Sequence, residues 1–78
     1  MFLVLDNNQL TDMKGLEKLT QFKNLSLNDN QLTDVEGLEK LTQLTYLELD
    51  NNPDLTKAQI AELQKALPKC RIQSNPTK

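Results

Sequence analysis

Leucines recur along this chain on two alternating spacings. Leu16, Leu19, Phe22 and Leu25 fall three apart, and Leu25 and Leu27 two apart; Leu38, Leu41, Leu44, Leu47 and Leu49 repeat the figure 22 residues later. A spacing of two puts both leucines on one face of a short strand. A spacing of three suits a 3₁₀ turn, in which residues i and i+3 eclipse. Each unit is therefore expected to be a strand, a turn and a short helical return, with its leucines pointing inward. One such unit cannot bury that ridge alone, whereas stacked units share a core and lay their strands side by side as a parallel sheet.

A polar figure accompanies the apolar one. Leu3-Val4-Leu5-Asp6-Asn7-Asn8-Gln9-Leu10 matches Leu25-Ser26-Leu27-Asn28-Asp29-Asn30-Gln31-Leu32. Leu47-Glu48-Leu49-Asp50-Asn51-Asn52 closes on Leu55 after one inserted residue, and Cys70-Arg71-Ile72-Gln73-Ser74-Asn75 is a weaker fourth copy. A coil that bends sharply after its strand leaves backbone groups without strand partners, which is costly when they are buried. A carboxamide carries donors and acceptors, so Asn8, Asn30, Asn52 and Asn75 are expected to form an internal ladder between neighbouring coils.

These residues resemble the leucine-rich repeat pattern L-x-x-L-x-L-x-x-N-x-L. The 22-residue unit beginning at Gly37 looks like the bacterial, internalin-like class, and the resemblance spans residues 2–75. It implies an α/β fold, a leucine-rich-repeat solenoid: a short right-handed coil with about four parallel strands, short helical returns and a C-terminal α-helix. It also implies a protein–protein interaction module that is not an enzyme. One departure is visible: internalin-like repeats usually carry proline where Gly15 and Gly37 stand, which predicts a looser start to each return.

The chain reads as one domain over residues 1–78, with regular repeats in 1–55, a capping helix and strand in 56–75, and a tail in 76–78. Thr11–Gly15 and Thr33–Gly37 are matching turns, with Leu10, Leu32, Met13 and Val35 expected to be buried and the pairs Glu17-Lys18 and Glu39-Lys40 solvated. Thr56-Lys57-Ala58-Gln59 reads as a capping box. Residues 57–67 predict an α-helix burying Ile60, Leu63 and Leu67 and stopped by Pro68. Cys70 is expected at a buried leucine position of the last strand. Nothing polar shields Leu3, Leu5, Leu10, Leu16 and Leu19 at the first unit, and repeat arrays normally cover their ends. Two explanations follow: a cut from a longer array, which is favoured, or a homo-oligomer formed through the N-terminal edge.

Composition narrows the function. Formal net charge is −2, but residues 1–56 carry four lysines against ten acids, and residues 57–78 five basic groups against Glu62 alone. An acidic body with a mildly basic end lacks the concentrated basic stripe of a nucleic-acid surface. The lone Cys70 offers no internal disulfide, so no oxidising compartment is implied. No apolar run is long enough to insert in a membrane, and Met1–Leu5 is too short for a signal peptide.

Catalysis finds little footing. The chain contains no histidine, the commonest general base and zinc ligand, and no glycine-rich phosphate loop. In-register stacking would set Asp6 and Asp50 two strands, about 9–10 Å, apart, near the spacing of an inverting glycosidase pair. A wet, open sheet lacks the apolar pocket that a catalytic carboxylate needs, and polar residues ending each strand explain them equally well. Asp50-Asn51-Asn52-Pro53-Asp54 imitates the start of a calcium loop, but Leu55 and Ala61 stand where an EF-hand needs Gly and Glu. Asn24-Leu25-Ser26 matches a glycosylation sequon inside a predicted strand. No metal or cofactor is expected.

What remains is the strand face turned away from the core. Phe2, Asn24, Tyr46 and Lys69 are expected to form one row, Val4, Ser26, Glu48 and Arg71 a second, and Asp6, Asn28, Asp50 and Gln73 a third. Aromatic residues beside charged ones suit a protein contact surface. Set against this, four strands offer less than the ~800 Å² per partner of a standard interface. The competing role is structural: a C-terminal capping segment of a larger repeat array, with no partner of its own.

Overall fold

The computed structural model describes residues 2–12, 18 and 21–76. The expectations for Met13, Gly15, Leu16, Glu17 and Leu19 lie outside the described residues. Four short strands, β1 (Phe2–Val4), β2 (Asn24–Ser26), β3 (Tyr46–Glu48) and β4 (Arg71–Gln73), form one parallel sheet in chain order. A 3₁₀ turn over Leu38–Lys40 links β2 to β3, and the α-helix α1 (Lys57–Ala66) links β3 to β4.

The leucine spacing explains the core. Leu3, Leu25, Leu47 and Ile72 stand in register across the four strands. Leu25, Leu27, Leu47 and Leu49 are almost wholly buried, as are Leu38, Leu41 and Leu44 from the return between them. Leu32 and Leu55 close the core from the turns after β2 and β3. Leu3, Leu5, Leu10 and Val35 are only half-buried, packed against this cluster from its edge.

Glycine at position 37 has a conformational reason. Gly37 precedes the 3₁₀ turn with φ 101° and ψ −28°, and it is buried. Proline is locked near φ −65°, and a side chain at positive φ collides with its own backbone. Glu39 reinforces the bend, its Oε2 accepting the Gly37 N–H at 2.9 Å, so this residue does more than decorate the surface. Gly37→Ala is expected to cost about 1–2 kcal/mol, read as a lower urea midpoint at unchanged slope. An unchanged midpoint would show that the turn does not need its left-handed residue.

Helix α1 starts where the capping box places it. Gln59 N–H donates to Thr56 Oγ1 at 3.1 Å, and Thr56 N–H donates to Gln59 Oε1 at 2.9 Å. Leu63 and the C-cap Leu67 are buried and Ile60 is half-buried. Gln64 Nε2 then donates to the carbonyls of Leu67 and Cys70 at 3.0 and 2.9 Å, which satisfies backbone that the end of the helix leaves free.

The last coil corrects the expected register. Successive strands pair at an offset of 22 from β1 to β3, but Tyr46, Leu47 and Glu48 pair with Arg71, Ile72 and Gln73, an offset of 25. Lys69 therefore precedes the strand and does not stand beside Tyr46, and Arg71 moves from the second row to the first. Ile72 continues the row of Leu47 rather than that of Leu49. Cys70 is buried immediately before β4, not within it. The physical cause is the return itself: an α-helix rises about 1.5 Å per residue and a 3₁₀ helix about 2.0 Å, so the helical return spends more residues on the same height.

Candidate functional site

Three rows of side chains line the sheet face opposite the leucines. The first is Phe2, Asn24, Tyr46 and Arg71; the second is Val4, Ser26, Glu48 and Gln73. Backbone bonds from Asn7 N–H to the Asn28 carbonyl and from Asp29 N–H to the Asp50 carbonyl continue the register into a third row of Asp6, Asn28 and Asp50. Asn75 meets the far end of this row through Asn51, whose N–H donates to Asn75 Oδ1.

Polar side chains tie this third row together. Asp6 Oδ1 accepts the Ser26 hydroxyl at 2.6 Å and the Asn28 N–H at 2.8 Å. Asn28 Oδ1 accepts the Asp50 N–H at 2.7 Å. The ends of β1 and β2 thus each present an acceptor to the first free N–H of the next coil. Sequence reasoning missed this device, although the repeated Asp or Asn after the second leucine was its signal. Asp6 is thereby engaged in holding backbone, whereas the pairing of Asp6 with Asp50 considered from sequence needs two free carboxylates.

Ser26 also needs correction as a contact residue. It is 2% exposed, with its hydroxyl given to Asp6 and its Oγ accepting Asn28 Nδ2 at 3.3 Å. A buried hydroxyl spent on its neighbours supports the face without forming part of it. Phe2 and Val4, by contrast, are each 54% exposed. Asn24, Asn28, Tyr46, Glu48 and Asp50 are half-buried, and Arg71 and Gln73 are exposed.

A second ladder runs inside the coil. Asn30 Oδ1 accepts the N–H groups of Asn8 and Leu10, and its Nδ2 donates to the carbonyls of Leu5, Leu27 and Asn28. Asn52 does the same one coil on, accepting from Leu32 and donating to Leu27, Leu49 and Asp50. Both carboxamides are 3% exposed, so Asn52 is not available to a calcium loop. The outer two asparagines differ from expectation. Asn8 is exposed, and among the described residues its Nδ2 reaches only the Asp6 carbonyl. Asn75 is exposed and exchanges bonds with Asn51 at the surface, because the longer last coil carries it past the inner position.

Asn7, Asp29 and Asn51 share one backbone feature, a φ of 59–61°. These are the residue types that tolerate the left-handed region best after glycine, and they occur once per coil in the bend after the strand. Gln9 joins them at 59°, with no residue-type preference to announce it.

Burial pushes the Cys70 thiol above its ordinary value. A thiol held neutral in this way behaves as a small apolar group rather than a nucleophile. Among the described residues, no group of three or more His, Cys, Asp or Glu side chains could hold a metal ion, and no helix is long and apolar enough to cross a membrane.

Comparison with protein families agrees with this geometry. The family of leucine-rich repeats, in a two-copy form, matches residues 23–65, just over half of the chain. The protein therefore belongs to the leucine-rich repeat family. No curated protein matches the sequence. Leucine-rich repeat domains generally mediate protein–protein interaction and are typically binding scaffolds without catalytic activity.

Proposed function

We propose that this protein is a recognition module that binds a protein partner through the concave strand face. Tyr46 and Glu48 on β3 form its centre, flanked by Phe2, Val4, Asn24 and Arg71. The observation that carries this reading is the pair of exposed apolar side chains, Phe2 and Val4. They lie on the side of the sheet away from the leucine core, so folding does not require them to be apolar. An exposed apolar group beside aromatic and charged residues is the usual composition of an interaction surface. The 22-residue offset supports placement in the bacterial, internalin-like class, with the left-handed Gly37 as this chain's variation on it.

A pull-down with the native chain and with the double variant Tyr46→Ala, Glu48→Ala tests the assignment. The expected result is loss of the native chain's partners from the variant, with its circular dichroism unchanged. Retention of those partners sinks the concave-face reading. A second role, closure of a repeat core by the α1–β4 segment, is favoured by the deep burial of Leu63, Leu67 and Cys70. It predicts a variant indistinguishable from the native chain.

A further inference from the structure

Charge is distributed unevenly over the three rows. They hold three carboxylates, Asp6, Glu48 and Asp50, and one cation, Arg71. Asp6 is occupied by Ser26 and Asn28. The other two are not compensated in this way. Glu48 is half-buried, and its carboxylate has no hydrogen-bond or ion-pair partner among the described residues. Asp50 Oδ1 is buried with no hydrogen-bond partner, although the same oxygen position in Asp6 and Asn28 accepts an N–H from the next coil.

The cause is again the long last coil: the earlier pattern would give Asp50 Oδ1 an N–H from the fourth coil, but the contact between the two coils there runs the other way, from Asn51 N–H to Asn75 Oδ1. Glu48 and Asp50 alternate along one strand, so both carboxylates lie on the same face, about 7 Å apart. Asp50 Oδ1 itself is closed to solvent, but a half-buried carboxylate without a donor gains free energy from a ligand's N–H at its open side. A cationic donor recovers more than a neutral one. In the rows of Tyr46 and Glu48, two strands and about 10 Å away, lie the exposed Phe2 and Val4.

Building on the concave-face reading, we propose that the partner segment bound there is basic and apolar. It is an extended chain that sets a lysine or arginine against Glu48 and Asp50 and an apolar side chain against Phe2 and Val4. In an extended chain side chains on one face recur every second residue, about 7 Å, so the two stand two or four residues apart. Tyr46, in the row beside Glu48, gives the cation a neighbouring aromatic ring. Arg71 opposes this partner's charge and sets the far limit of the favourable surface.

The test selects from a displayed library of random peptides on the whole chain, then measures the enriched peptides against three variants. Enrichment of sequences pairing Lys or Arg with an apolar residue is expected, with affinity falling as salt rises. Glu48→Gln should weaken their binding about fivefold or more, and Arg71→Gln should tighten it about twofold. These opposite changes cannot both come from damage to the fold. Enriched peptides that are neutral or acidic, yet lost in Tyr46→Ala, overturn the basic partner while leaving the concave face as the binding surface. Peptides insensitive to all three variants, or no enrichment at all, overturn both.

Discussion

Leu47→Ala is expected to leave the protein largely unfolded at room temperature. Leu47 is fully buried at the centre of the sheet, flanked in register by Leu25 and Ile72. Removing a buried leucine side chain typically costs about 2–5 kcal/mol, the loss growing with the cavity left behind. The upper part of that range applies because Leu47 touches coils on both sides, so neither can collapse without breaking its own contacts. A 78-residue chain carries a single small core, which rarely supplies more than about 3–5 kcal/mol of net stability. Leu3 offers the internal control: it occupies the same row but at the half-buried edge. Leu3→Ala should lose less than half as much in urea denaturation followed by circular dichroism. Equal losses at the two positions would show that the inward row is not the source of stability.

The second large effect concerns a polar residue. Asn30→Ala removes one carboxamide that takes two backbone N–H groups and three carbonyls from two successive coils. Water cannot replace it, since the side chain is 3% exposed, and each buried group left unsatisfied costs about 1–3 kcal/mol. A total near 3 kcal/mol is expected. Asn28→Ala frees the Asp50 N–H from its acceptor, but that group lies toward the open face, where solvent can bond to it. About 1 kcal/mol is expected there. The Tm of Asn30→Ala should fall roughly 10 °C below that of Asn28→Ala. Equal melting temperatures would argue that the inner ladder carries no more than the outer one.

Much of this was legible in the leucine and asparagine spacings because each residue there does one thing. A leucine two after another, followed by an asparagine three further on, has only one way to bury the first two and satisfy the bend. The strands β1 to β3, the capping box of α1 and the inner positions of Asn30 and Asn52 were readable for that reason. The last strand was not. Its register depends on how much height a return covers per residue, and sequence identity between Asn52 and Asn75 pointed to an offset of 23 where the geometry requires 25. The fate of Ser26 was hidden for a different reason. Its row position marks it as outward, and only the reach of the Asp6 carboxylate turns it into a buried support. The unsatisfied Asp50 oxygen follows from both effects together, since it depends on where the fourth coil places its N–H groups.

The order of the strands in the sheet has a kinetic consequence. Because β1, β2, β3 and β4 neighbour one another in chain order, every pairing closes a loop of 22 or 25 residues and none spans the molecule. Loop-closure entropy grows only logarithmically with length, so the longest of these closures exceeds the shortest by about 0.1 kcal/mol. No pairing event is therefore privileged by distance. Ordering can begin at whichever coil is locally most stable, with α1 and its self-contained cap as the natural starting point, and then spread outward one neighbour at a time.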